Sequence, residues 1–392
     1  MTQTKQNYFL SQPHQPFFIL GVANAVVMML IFGLGYRGIL NLEVQNLTFH
    51  VYSISFLVFL NVFVGFMFTT FGRFSQSSES ISKPYYTNIF YANSLASLLF
   101  LTGGVLSHTV LILGMVIAFI SQIFIVSKLH KIYKKGGSFD KSDAFWILIA
   151  NYFGVLGNGL FIASELSFDI VLNSAVNITF YLYLIFLAFS VAQRMVPFFS
   201  HSFAQKNENF VKIIFVLFIL KSISSAVGFK FGEMVLDVLL SVYMFMEFKR
   251  WELHPFESPA ILWVLHLALF WLPLAFLLSA LTLLAEMFLD TSFYFFNIHL
   301  LGLGFLTTIL IGFGTRVTLG HSGQPPHADK LATNIFWLTQ VVVFFRAVFS
   351  LNVGFDMGFD FLFEISLGMW IVLFLVWGYR YGKVLVFGSR IS

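Results

Sequence analysis

Imidazole nitrogens bind haem iron, copper and zinc, so the ten histidines of this chain are the first residues to place. His266 and His299 fall inside long apolar stretches, where ionisable groups are costly and tend to be functional. His50 stands at the start of another such stretch, and His108 between two more. The other six, His14, His130, His201, His254, His321 and His327, fall in or beside polar connecting segments. His50 and His299 form the sharper pair, because both enter from one side on stretches that run in the same direction. A porphyrin between those stretches would take two axial histidines, or one histidine and an open position. The competing expectation for each buried histidine is a neutral ring hydrogen-bonded to a neighbouring helix.

Arg346 lies inside an apolar stretch and needs an anionic partner there. A haem propionate would serve through two parallel hydrogen bonds, and so would Asp356, Glu364 or another carboxylate. The string from Gly314 to Gly323 is the most distinctive in the chain, with Arg316, Gly320, His321 and Ser322 inside it. Arg316 could meet a propionate or a lipid phosphate, and the glycines permit backbone turns at positive φ. Gly304, Thr308 and Gly312 recur at four-residue spacing, which lets a second helix or a flat cofactor approach closely. Helix packing is the expected cause.

The elements that must position these residues are membrane helices. The chain is 58% hydrophobic and 10% charged, with a mean hydropathy of +0.85. A soluble domain carries about 25% charged residues, so a surface this apolar belongs in lipid. The aromatic content, led by 53 Phe, suits a lipid-facing shell. The complete lack of cysteine excludes disulfides, thiolate metal sites and iron–sulfur clusters. The net charge of +4 gives no reason to expect nucleic acid as a partner, and the expected partner surface is the lipid bilayer.

Stretches long enough to span a bilayer fall near 17–35, 49–71, 89–107, 109–127, 144–163, 170–193, 210–227, 230–248, 259–285, 293–314, 334–351 and 359–379. The pair at 210–227 and 230–248 is weaker, because it contains Lys212, Lys221, Glu233 and Asp237. The boundary at 107–109 predicts either a tight hairpin or one long broken helix. Lys128, Lys131, Lys134, Lys135 and Lys141 make the densest basic cluster, so their loop is expected on the cytoplasmic side. Alternation then puts both termini in the cytoplasm, and the other basic loops agree. The expected fold is an all-α polytopic bundle of about 12 transmembrane helices, a single transmembrane domain over residues 1–392. The polar first residues contain no apolar core of a signal peptide, so the first span is expected to persist. No internal repeat is visible at the level of residues.

Four stretches resemble the NnrS family of bacterial membrane proteins. They are His14-Gln-Pro-Phe-Phe, Arg194-Met-Val-Pro-Phe-Phe-Ser, Trp263-Val-Leu-His266-Leu, and the run from His299 through Arg316 to Gly323. The resemblance covers the whole chain. It implies a protein of the bacterial inner membrane with haem b and copper, linked to nitric oxide stress. It adds His14, His321, Arg194 and Arg316 to His50, His266, His299 and Arg346 as candidate cofactor-binding residues. His50, His266 and His299 are the candidate metal ligands. One departure bears on copper: where the family shows Trp-His-Ala-His-Glu-Met, this chain has Phe49-His50-Val51-Tyr52-Ser53-Ile54. Tyr52 and Ser53 stand in place of a histidine and a glutamate.

Three functions compete, and a fourth, an assembly factor or sensor, is not separated from them by sequence. The first is haem-dependent nitric oxide metabolism or resistance, with an electron donor the sequence does not name; if catalytic, the protein would be a nitric oxide-related oxidoreductase. The second is a redox enzyme like the haem–copper oxidases. Its copper needs three imidazoles, and 170–193 and 210–227 contain no histidine. The third is a transporter without cofactors, with Glu233 and Asp237 lining a path.

Overall fold

The computed structural model describes residues 8–390. Among them stand twelve long helices and no strand; Ser77 and Gly136 form an isolated bridge. The helices are α1 (His14–Tyr36), α2 (Asn46–Phe74), α3 (Lys83–Leu106), α4 (His108–Lys134), α5 (Ser142–Glu165) and α6 (Leu172–Phe199). They continue as α7 (Phe210–Ala226), α8 (Lys230–Arg250), α9 (Ala260–Glu286), α10 (Tyr294–His321), α11 (Lys330–Phe355) and α12 (Leu362–Phe387). Each predicted apolar stretch has become one helix.

Ten of the twelve are long and apolar enough to cross a membrane, which makes this a multi-pass membrane protein. The two that fall short are α7 and α8. α7 has only 17 residues, and α8 carries Lys230, Glu233, Asp237, Glu247, Lys249 and Arg250 along 21.

The ambiguous boundary at residue 107 is a hairpin. Ser107 is extended (φ −169°, ψ 119°), which breaks the helix between α3 and α4. The two arms touch through glycines. A Cβ on Gly103 would fall 2.1 Å from the backbone nitrogen of Leu111, and one on Gly114 would fall 2.7 Å from that of Phe100. Small residues let helix backbones meet this closely.

The chain forms two compact units. The first holds Met1–Val176, Gly314–Pro325 and Phe374–Ser392; the second holds Asn177–Phe313 and Pro326–Leu373. In the first unit, interhelical amides bind the helices together where lipid offers no hydrophobic drive. Asn24 of α1 donates to Ser97 of α3 (2.9 Å), Asn93 of α3 to Asn61 of α2 (2.9 Å), and Asn158 of α5 to Gln122 of α4 (2.9 Å). In the second unit, Trp271 of α9 donates to Gln340 of α11 (2.8 Å), and Gln340 donates to Thr308 of α10 (3.2 Å).

Loops meet in the pattern that alternating helices require. In the first unit Glu79, after α2, binds Lys128 (2.5 Å) and Lys135 (2.7 Å) at the end of α4. These two ammonium groups, Lys128 first, hold the Glu79 carboxyl down at about 2. At the other end of α4, His108 lies 3.1 Å from Glu165 at the end of α5.

Three helices contain π-helical stretches: Ser53–Phe59 in α2, Ile178–Ile185 in α6 and Leu300–Thr307 in α10. They recur at every fourth helix. The same three are the most buried of the ten, over 83%, 94% and 72% of their most apolar windows. A π stretch widens the helix by one residue per turn and is common beside functional sites. The recurrence depends on backbone hydrogen bonding and is invisible as residue similarity.

Candidate functional site

His50 and His299 both stand at the entrance to a π stretch. His299 directly precedes the one in α10, and His50 lies three residues before the one in α2. His50 belongs to the first unit, where its ring stacks on Phe32 of α1 with centroids 4.4 Å apart. Tyr52, two residues on, is fully buried; its hydroxyl donates to Asn158 (3.0 Å) and packs against Met115. Its ring lies between Phe100 and Phe161. Tyr52 thus ties α2 to α4 and α5. The Ser53 hydroxyl donates to the His50 carbonyl (3.1 Å).

His299 belongs to the second unit. Its Nδ1–H donates to the Phe295 carbonyl (2.6 Å), and one Arg346 guanidinium nitrogen lies over the ring, 3.0 Å from Nε2 and 3.3 Å from Nδ1. Arg346 also lies over the Phe349 ring, 5.0 Å from its centroid. The His299 ring is thus a neighbour of Arg346 beside the carboxylates and the propionate that its sequence position suggests.

His266 of α9 is 2% exposed and lies 2.7 Å from the Ser200 hydroxyl, just after α6. Two of the resembling stretches, those of Arg194–Ser200 and Trp263–Leu267, meet through this bond. Ser200 was not singled out in the sequence, although it closes the Arg194 motif. Arg194 itself is exposed. Gly304 and Gly312 face Trp271 and Leu265 of α9, within 2.6 Å of where their Cβ atoms would lie. The four-residue spacing therefore serves helix packing.

The first and last resembling stretches meet in the first unit. α1 begins at His14, and Gln15 caps it by accepting from Ser11 Oγ (2.9 Å) and the Gln12 nitrogen (2.8 Å). Pro16 falls in the first turn, where a missing N–H costs nothing. At the other end, α10 closes after His321 because Gly323 adopts φ +72° and the Gln324 nitrogen bonds back to Leu319 O (3.0 Å). The two helix ends bring the rings of His14 and His321 to 5.1 Å between centroids. His14 is 2% exposed, and its buried Nδ1 has no hydrogen-bond partner. Arg73, at the end of α2, acts electrostatically on His321. Arg316, one and a half turns before His321, is half-buried. Trp377 donates to Thr315 (3.1 Å) and fixes this end of α10 against α12. Among the described residues no group of three or more His, Asp or Glu converges on one point.

A bundle of membrane helices in which a buried histidine at one helix end meets a second at another defines a multi-pass membrane protein with a candidate ligand site. The NnrS protein family model matches residues 8–387, so the chain belongs to the NnrS family. Family membership relates it to nitric oxide. No curated protein matches the chain.

Proposed function

We propose that this protein resides in the bacterial cytoplasmic membrane with both termini inside, holds haem b, and acts in nitric oxide metabolism or resistance. The orientation rests on the lysines between α4 and α5. Haem rests on the family resemblance; the observation that supports a metal beside it, copper, is His14, a buried imidazole with an orphaned nitrogen, 5.1 Å from the ring of His321. Burying a polar nitrogen without a partner is costly, and a metal ion would satisfy it.

His14 and His321, with ring centroids 5.1 Å apart, are the residues that would hold a copper ion, for which imidazole is a suitable ligand. Haem would be held by His299, with Arg346 beside it to meet a propionate, or by His50. Arg316 follows His299 by 17 residues on α10, about 25 Å along the helix, and belongs with His321 at the other end. Bound haem iron would supply the centre that nitric oxide occupies. The chain's own part is an apolar shell through which nitric oxide, enriched in lipid, reaches the site.

The test is an optical spectrum of the detergent-purified protein, oxidised and dithionite-reduced, with and without nitric oxide, beside metal analysis. A Soret band that shifts with nitric oxide supports the reading. A colourless, metal-free protein overturns it and favours the transporter.

A further inference from the structure

The second unit buries a charge cluster that neither haem nor copper uses. Lys221 of α7 is 2% exposed, and its ammonium lies 2.7 Å from Oδ1 and 2.9 Å from Oδ2 of Asp237 on α8, whose side chain is wholly buried. Glu233, one turn earlier on α8, reaches the same ammonium at 3.6 Å. Ser279 of α9 donates to Asp237 Oδ2 (2.6 Å). The phenol rings of Tyr181 and Tyr294 face the cluster, with Lys221 5.4 Å from the Tyr181 centroid. Glu286, at the end of α9, acts electrostatically on Glu233 and is itself paired with Lys230 (2.8 Å). Glu286 also accepts from the Phe293 nitrogen (2.5 Å).

The charges do not balance. Lys230 neutralises Glu286, which leaves one ammonium, Lys221, between two carboxylates. An uncompensated charge in this interior is expensive, and groups there neutralise by taking up a proton. The hydrogen bonding shows where it could go. The well-directed bond from Lys221 goes to Asp237 Oδ2, and Oδ1 receives no hydrogen bond of proper angle although it is fully buried. A metal cation is the poorer candidate, because the ammonium already occupies the space between the carboxylates.

We propose that Lys221, Glu233 and Asp237 form a proton-binding site in which the two carboxylates share one proton at neutral pH. The proton comes from water, forms one O–H bond and takes the cluster from −1 to neutral. It exchanges through Glu286 and Lys230, where Lys230 is half-exposed at the start of α8. Lys230, Glu233 and Asp237 follow at spacings of three and four along one face of α8, a stepped path from helix end to interior. This inference is independent of haem.

Infrared spectroscopy of the full-length protein in lipid tests it, because a protonated carboxyl has its own C=O stretch. That band is expected at pH 7 in the wild type. Glu233→Gln and Asp237→Asn should each remove it, because either leaves one carboxylate for one ammonium. Lys221→Met should double it, because both carboxylates must then be protonated. Glu286→Gln should slow the shift of the band on transfer to deuterium oxide without changing its area. A wild type with no such band overturns the proposal without recourse to any variant. So does a band indifferent to Glu233→Gln and Asp237→Asn, or one that sodium chloride abolishes at fixed pH. An unchanged exchange rate in Glu286→Gln overturns the route.

Discussion

One guanidinium nitrogen of Arg346 on α11 lies over the His299 ring, 3.0 Å from Nε2 and 3.3 Å from Nδ1. A cation over the ring face does not occupy the in-plane lone pair through which an imidazole binds iron. If His299 holds haem, Arg346 is the cation placed to meet a propionate. His299→Ala is expected to abolish most of the Soret absorbance after purification. Arg346→Leu is expected to weaken haem retention by about tenfold to a hundredfold, the worth of a charge-assisted hydrogen bond. Normal retention in either variant would remove that residue from the haem site.

The His14–His321 pair predicts a separate loss. The wild type is expected to contain copper by metal analysis; His14→Ala and His321→Ala should each remove it, and the double variant should be no worse than either single one. Haem absorbance should persist in all three. If copper is retained in the double variant, the two rings do not hold it.

Glu79 links stability to pH. Its carboxyl sits at about 2 in the folded protein, against 4.5 ordinarily, through Lys128 and then Lys135. Because the folded value lies below the unfolded one, this contribution is complete above pH 4.5 and disappears as pH falls towards 2. The apparent Tm of Glu79→Gln should therefore fall below that of the wild type at pH 6, with the gap closing in acid. An equal gap at pH 6 and pH 3 would contradict the ion-pair account.

The α3–α4 hairpin has no room at Gly103. In a free helix, alanine would be favoured there by about 1 kcal/mol. Here its Cβ would meet the backbone of Leu111 at 2.1 Å, and backbone cannot turn aside. Gly103→Ala is expected to cost about 1–3 kcal/mol, seen as a lower apparent Tm in detergent. Gly38, at φ +68° with open space around it, is tight in conformation alone, so Gly38→Asn should be nearly neutral.

Composition and hydropathy determined the class of this protein, because a chain with so few charges has only lipid to face. They also located every helix, since a membrane crossing needs a long apolar run that sequence displays directly. The charges that weakened the stretch at 230–248 lie on α8 and keep it apart from the ten spans, whereas α7 falls short by its length of 17 residues. The motifs around His14 and His321 were legible too, but their meeting was not. More than three hundred residues separate them, and only the packing of helix ends brings the rings to 5.1 Å. The approach of Arg346 to the His299 ring was equally hidden, because a guanidinium donates to any acceptor within reach and only tertiary contact decides its neighbours. The role of Tyr52 is of the same kind. Sequence shows a tyrosine two residues after His50, and the fold turns its hydroxyl to Asn158. Local periodicity is a property of the chain, whereas side-chain partnership depends on which faces the helices turn to one another.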